Sequence, residues 1–181
     1  MSGKLIVLSG PGGVGKSTIV AELKKFPNFF FSVSATTRPP RNGEVDGVAY
    51  KFVSDQQFDR MIEEKKFLEW ANFAGARYGT PSEPVDLALK ANLNVLLEIE
   101  IDGARQVRKL RPDAKLVFLK PPDIQALEER IRGRATESEA RIKARLELAQ
   151  EEMAASNEFD EVITNHHVDE VVRALVALAA R

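Results

Sequence analysis

Four apolar residues in a row, Leu5 to Leu8, run almost directly into a glycine-rich turn. A short continuous apolar run closed by a turn predicts a strand buried on both faces of a parallel sheet. Similar runs recur at Phe29 to Val33, Val95 to Ile99, Leu116 to Leu119 and Glu161 to Ile163. Most of the intervals between them carry a helical period. Ile19, Val20 and Leu23 fit a helix directly after the first turn; Ile124, Leu127 and Ile131 share a face, as do Ile142, Leu146, Ala149 and Met153; a last helix is expected from about Val168 to the C-terminus. Strands alternating with helices predict an α/β fold around a parallel sheet.

Two stretches break this rhythm. From Ser34 to about Pro84 the chain shows a loop, Arg38-Pro39-Pro40-Arg41-Asn42-Gly43, then alternation at Val48, Tyr50 and Phe52 that predicts a strand. Ser54-x-x-Gln57 then reads as a capping box before a short helix carrying Phe58 and Ile62. The stretch predicts a small α+β insertion with its own core. From Arg130 to Arg145, six basic residues (Arg130, Arg132, Arg134, Arg141, Lys143, Arg145) meet only Glu137 and Glu139. A mobile flap that faces an anion would have this composition.

The length of 181 residues suits one domain. With 26 basic against 27 acidic side chains, the balance argues against a dedicated DNA-binding or membrane-surface protein, since either needs a strong basic excess. No nucleic-acid or membrane partner is therefore expected, and a homo-oligomer stays open. The absence of cysteine excludes disulfides, thiolate zinc sites and a cysteine nucleophile. It fits a reducing cytosol and leaves metals only oxygen or imidazole ligands. The N-terminal apolar run is too short for a signal-peptide core or a membrane span, so a soluble, cytoplasmic protein is expected.

Gly10-Pro11-Gly12-Gly13-Val14-Gly15-Lys16-Ser17 matches the phosphate-binding pattern G-x-x-x-x-G-K-[ST] without a departure. Glycines let the backbone turn tightly enough for its N–H groups to converge on phosphate oxygens, and the following helix adds the positive end of its dipole. Lys16 supplies a point charge for the β- and γ-phosphates, and the Ser17 hydroxyl can ligate Mg²⁺. The pattern arises by chance in roughly one chain of this length in a hundred, and its place between a strand and a helix makes chance rarer still. ATP with Mg²⁺ is the expected ligand.

Ser34-Ala35-Thr36-Thr37-Arg38-Pro39-Pro40-Arg41-Asn42-Gly43-Glu44, then Tyr50, Glu69 and Tyr78-Gly79-Thr80, strongly resembles the monophosphate-binding region of guanylate kinases. The resemblance runs from the first strand to the last helix. It implies the P-loop nucleoside monophosphate kinase fold, with a five-stranded parallel sheet in a core of residues 1–33, 85–125 and 146–181, a GMP-binding region over 34–84 and a lid over 126–145. It implies that Arg38, Arg41, Tyr50 and Tyr78 hold the monophosphate, and that Glu69 and Glu100 read the base. Guanine offers N–H donors on its pairing edge, which suits acceptor-only carboxylates, while the hydroxyls of Ser34 and Thr80 can donate to O6.

Glu98 and Glu100 leave the carboxyl end of a strand, where α/β sheets place ligands. The family carries aspartate at one or both positions, so whether Glu98 acts on the metal's water or on GMP stays open. Asp102 stands where the family has glutamine and takes no role. The resemblance gives the donor side Thr18, Arg134 and Asn165 beside the phosphate loop, with Lys16, Arg130, Arg134 and Arg145 as the cations of transfer. His166 and His167 depart from the family pattern and are expected to be exposed or packed rather than metal ligands. The reaction implied is ATP + GMP ⇌ ADP + GDP, with dGMP as a further acceptor. Two competitors remain: a kinase of a sugar phosphate, needing no guanine-reading carboxylate, and a peptide-binding module of the same fold, needing no lysine or lid arginines.

Overall fold

A computed structural model describes residues 3–133 and 138–180. The five expected runs form strands β1 (Leu5–Ser9), β2 (Phe29–Phe31), β7 (Asn94–Glu98), β8 (Lys115–Lys120) and β9 (Glu161–Thr164). They make one sheet in the order β2-β7-β1-β8-β9, with every pair parallel. β1 lies in the middle and is buried along its whole length, as its unbroken apolar run requires.

Its side chains divide by parity. Ile6 and Leu8 join α1 (Lys16–Leu23) and α7 (Val168–Ala180) in a core with Ile19, Leu23, Val171 and Leu175. Leu5 and Val7 face the other way, to Val85 and Ala88 of α3 (Ser82–Lys90) and to Ala104 and Val107 of α4 (Ile101–Leu110). Two helical layers thus cover the sheet, and period-two geometry is enough to assign them. α5 (Ile124–Arg132) and α6 (Glu139–Ala154) share a third small core of Leu127, Ile131, Ile142 and Ala149. Asp123 caps α5 by accepting from the Ala126 N–H at 2.7 Å.

The insertion folds as expected in kind but not in detail. A mixed four-stranded sheet orders β4 (Lys51–Phe52), β3 (Ala35–Thr36), β6 (Ala76–Pro81) and β5 (Phe67–Phe73). α2 (Asp55–Glu63) begins with the capping box of Ser54 and Gln57 that the sequence predicts. The strand expected through Val48 is not formed there: Lys51 and Phe52 pair with β3, Tyr50 makes only an isolated bridge to Asp46, and Val48 is 73% exposed. Gly47 at φ +75° turns the chain just before it, and the Asp46 carboxylate takes the Phe52 N–H at 2.9 Å, which holds the segment as a loop. Ala35, Phe58 and Phe67 form the insertion's own core, with the Phe58 and Phe67 rings 4.6 Å apart.

Gln106 of α4 clips the insertion to the main body. Its amide accepts from Trp70 N–H at 3.1 Å and donates to Trp70 C=O at 2.9 Å, which fixes β5 against the helix that borders the site. Among the described residues no helix is long and apolar enough to cross a membrane.

Phe58→Ala removes the centre of the insertion's core and should lower stability by about 3–5 kcal/mol. Thermal and urea unfolding followed by circular dichroism measure this; a loss below 1 kcal/mol would show that the small core does not hold the insertion.

Candidate active site

The loop from Gly10 to Ser17 joins β1 to α1 beneath the carboxyl edge of the sheet. Two of its glycines are enforced by their surroundings. A Cβ on Gly10, which lies at φ +142°, would stand 2.3 Å from the Leu119 carbonyl oxygen of β8. One on Gly15, at φ +108°, would stand 2.7 Å from the Asn165 amide nitrogen. Lys16 reaches back over the loop and donates to the carbonyls of Gly10 and, at 3.2 Å, Pro11. Val14 is pinned from two sides: its carbonyl accepts from Arg130 Nη1 at 2.9 Å and from Asn165 Nδ2 at 2.8 Å. Arg130 also donates to the Asn165 backbone carbonyl at 3.2 Å.

Arg130, read from the sequence as a cation of transfer, and Asn165, read as a ligand of the donor nucleotide, thus brace the loop. Both line a cleft of about 440 Å³ with Gly13, Gly15, Thr18 and His166. His166 and His167 are exposed. Arg145 of α6 lies over the loop, its Nη2 3.6 Å from where a Cβ on Gly12 would be. Arg134 lies outside the described residues.

A second cleft of about 580 Å³ is lined by Ser34, Arg38, Arg41, Tyr50, Glu69, Tyr78, Glu98 and Glu100. Arg38 is held before any anion arrives. Its two terminal nitrogens each meet a Glu44 carboxylate oxygen at 2.9 Å, and its guanidinium lies over the Tyr50 ring, 5.4 Å from the centroid. Glu44 also accepts from the Arg41 N–H at 2.7 Å. The Arg38 fork, then that N–H, hold its carboxyl down at about 2. The Arg41 side chain is exposed at the rim. The Tyr50 and Tyr78 rings meet edge to face, 5.8 Å between centroids.

Glu69 on β5 is buried at 7% exposure, and burial pushes its carboxyl above the ordinary range. The hydroxyl and N–H of Thr80 pull in the opposite direction, the hydroxyl donating to Oε1 at 2.5 Å. Thr80, read as a donor to the base, is 1% exposed and spends its proton on Glu69. Its effect on a base would pass through that carboxylate. Ser34 does line the cleft.

Glu98 connects the second cleft to the phosphate loop. It lines that cleft, and its Oε1 accepts from the Ser17 hydroxyl at 3.3 Å. Asp102 also lines the second cleft and pairs at 2.7 Å with Arg105, which in turn grips Glu158. No cluster of three carboxylate or histidine ligands exists among the described residues. A hydroxyl beside one carboxylate suits a hard cation that brings most of its oxygen ligands with it, as Mg²⁺ does with phosphates and water.

Residues 2–180 match the family described as guanylate kinase. The chain belongs to the guanylate kinase family. It is 57% identical over 178 residues to the guanylate kinase of Thermobifida fusca, covering 98% of this chain and 91% of that one. The guanylate kinase of Synechococcus sp. strain CC9311 is 53% identical over 95% of this chain and 90% of its own length. The crystal structure of guanylate kinase from Anaplasma phagocytophilum superposes with a TM-score of 0.75 at 28% identity, covering 98% of this chain and 84% of that one.

Some of this guanylate kinase fold's site residues carry no sequence signal of their own. Glu44 sits inside the stretch that carries the resemblance, yet only the structure makes it the partner of Arg38. Gly103 reads as an unremarked helix position, but a Cβ there would stand 2.9 Å from Glu69 Oε2. Its lack of a side chain gives the buried carboxylate its place. Gly103→Ala should therefore leave the melting temperature near wild type while raising KM for the cleft's ligand ten- to a hundred-fold, the usual cost of a misplaced binding group. Steady-state kinetics with GMP and ATP varied separately check this, and an unchanged KM for GMP would refute the packing argument.

Proposed function

We propose that the loop cleft holds ATP, that the Glu69 cleft holds GMP, and that the phosphate of GMP attacks the γ-phosphorus of ATP directly. As a member of its family the chain is a guanylate kinase, catalysing ATP + GMP ⇌ ADP + GDP. The observation that carries the base assignment is Glu69, a buried carboxylate that faces the cleft with one oxygen already bonded to Thr80. Guanine presents N–H groups to such an acceptor, whereas the adenine ring nitrogen at the same position would oppose it.

Phosphoryl transfer asks the protein for in-line placement and for cations where charge accumulates. On this reading Arg38 and Arg41, with Tyr50 and Tyr78, hold the acceptor phosphate, Ser34 contacts the base, and Glu100 supplies a second acceptor. Lys16 swings from the loop carbonyls to the transferred group, and Arg145 approaches from above. Arg134, in the lid over residues 126–145, adds a further cation. Arg130 and Asn165 keep the loop in shape around the donor. Ser17 would hold Mg²⁺, with Glu98 on its water or on GMP, and the metal would neutralise charge on the bridging phosphates. We extend the acceptors to dGMP because every assigned contact goes to base or phosphate and none to the ribose. The lack of cysteine fits the cytoplasmic setting we assign.

Lys16→Ala should abolish transfer in a folded protein, and Arg145→Ala should lower kcat by about two orders of magnitude or more, as loss of transition-state charge stabilisation does. Near-normal turnover in both would overturn the mechanism.

Base choice is tested by coupling ADP release to a chromophore with GMP, AMP, CMP and UMP as acceptors. Wild type should favour GMP by about 10⁴ or more, since a site left with unpaired buried polar groups discriminates on that scale. Glu69→Gln should collapse the ratio of GMP to AMP, and Arg41→Ala should weaken all four monophosphates alike. An unchanged ratio in Glu69→Gln removes the base reading, and a wild-type preference for a sugar phosphate would put another acceptor in the cleft.

A further inference from the structure

β5 is an edge strand of the insertion's sheet, and the outward main-chain groups of an edge strand have no strand to pair with. At Trp70 a side chain takes that place. The half-buried Gln106 amide accepts from the Trp70 N–H at 3.1 Å and donates to the Trp70 carbonyl at 2.9 Å, the two bonds that a neighbouring strand would make. A side-chain amide carries both groups, as a peptide unit does.

The residue before Trp70 is Glu69. Successive side chains leave a strand on opposite faces. Trp70 accordingly packs on the insertion's core, its ring 6.3 Å from that of Phe58, while Glu69 lines the cleft. Gly103 and Gln106, three residues apart on α4, share the helix face turned to β5. Gln106 holds the backbone next to Glu69, and Gly103 leaves room for its carboxylate, with Oε2 2.9 Å from where a Cβ would be. Ala104 and Val107 of the same helix are buried in the main core, and α4 follows closely on Glu98 at the end of β7. One helix thus sets where Glu69 stands relative to Glu98.

We propose that Gln106 is the positioning residue for Glu69 and, through it, a determinant of base selectivity: its amide fixes the distance of β5 from α4 and hence the place of the buried carboxylate in the cleft. The inference rests on Glu69 reading the base. Gln106 lies outside the cleft lining and acts only through β5. Leu68, buried in the main core with Val85 and Ala104, still anchors the strand when the amide is lost, so its removal shifts Glu69 without unfolding the insertion.

The test uses Gln106→Met, which keeps the length of the side chain and loses both bonds, alone and combined with Glu69→Gln. Values of kcat and KM are measured for GMP and AMP at saturating ATP, together with KM for ATP and thermal melts. Gln106→Met should raise KM for GMP about ten-fold or more, the scale of a displaced binding group, and leave KM for ATP within about twofold. The ratio of kcat/KM for GMP to that for AMP should fall by a similar factor, because AMP has no bond to Glu69 to lose. A general loosening of the insertion would instead disturb Arg38 and Tyr50 and weaken both monophosphates alike. Added to Glu69→Gln, Gln106→Met should change the ratio little further, since residues that act through one another do not add. Should Gln106→Met melt below the assay temperature, Gln106→Glu takes its place with the same expectations: it keeps the acceptor for the Trp70 N–H but sets a carboxylate against the Trp70 carbonyl.

An unchanged ratio in the Gln106 variant, or a full further loss of the ratio when it is added to Glu69→Gln, would overturn the proposal while leaving the base assignment standing. If Glu69→Gln alone leaves the ratio unchanged, the base assignment falls and this proposal with it.

Discussion

Backbone N–H groups converge on one point only where the chain curls through conformations that side chains resist. Every other part of this site is arranged around that constraint. Gly10 turns against the Leu119 carbonyl and Gly15 against the Asn165 amide, so the loop is shaped by β8 and by the residue after β9 as much as by its own sequence. The Val14 carbonyl, which the curl leaves pointing away from any phosphate partner in the chain, is taken up by Arg130 and Asn165. The central strand has to be buried along its length because the loop at its end needs immobile neighbours on both sides.

The main sheet is legible in the sequence because strands covered on both faces are written as continuous apolar runs, and all five runs pair in it. The hairpin of β5 and β6 is much less so. Its two-residue turn, Ala74-Gly75, takes positive φ at both positions without the asparagine or aspartate that would announce it, and a bulge between Phe67 and Glu69 breaks the alternation. Val48, Tyr50 and Phe52 mislead for the opposite reason: they alternate as a strand does, but the turn at Gly47 leaves Val48 in water.

Site residues divide in the same way. Those in the loop follow from backbone necessity and are visible as a motif. Glu69 has no local signal and is recognised only through the resemblance of the stretch around it. Thr80 looks like a free hydroxyl. Its role depends on a contact with Glu69 across the β5–β6 hairpin, which no local pattern encodes. α4 gathers several such contacts. It places Glu100 at its start, gives Glu69 room at Gly103 and fastens β5 through Gln106.

The pairing of Arg38 with Glu44 has a consequence for association. A long guanidinium side chain that swung freely would surrender its rotamer freedom on meeting a phosphate, and each encounter would bear that loss. Here the fork is seated on Glu44 and stacked over Tyr50 in the folded chain, so the ordering is completed once, during folding. The carboxylate also keeps the rim from presenting an unbalanced cation, which any passing anion could occupy. On the proposed assignment, an arriving dianion meets an arm that is already held, and only its exposed neighbour Arg41 has still to settle.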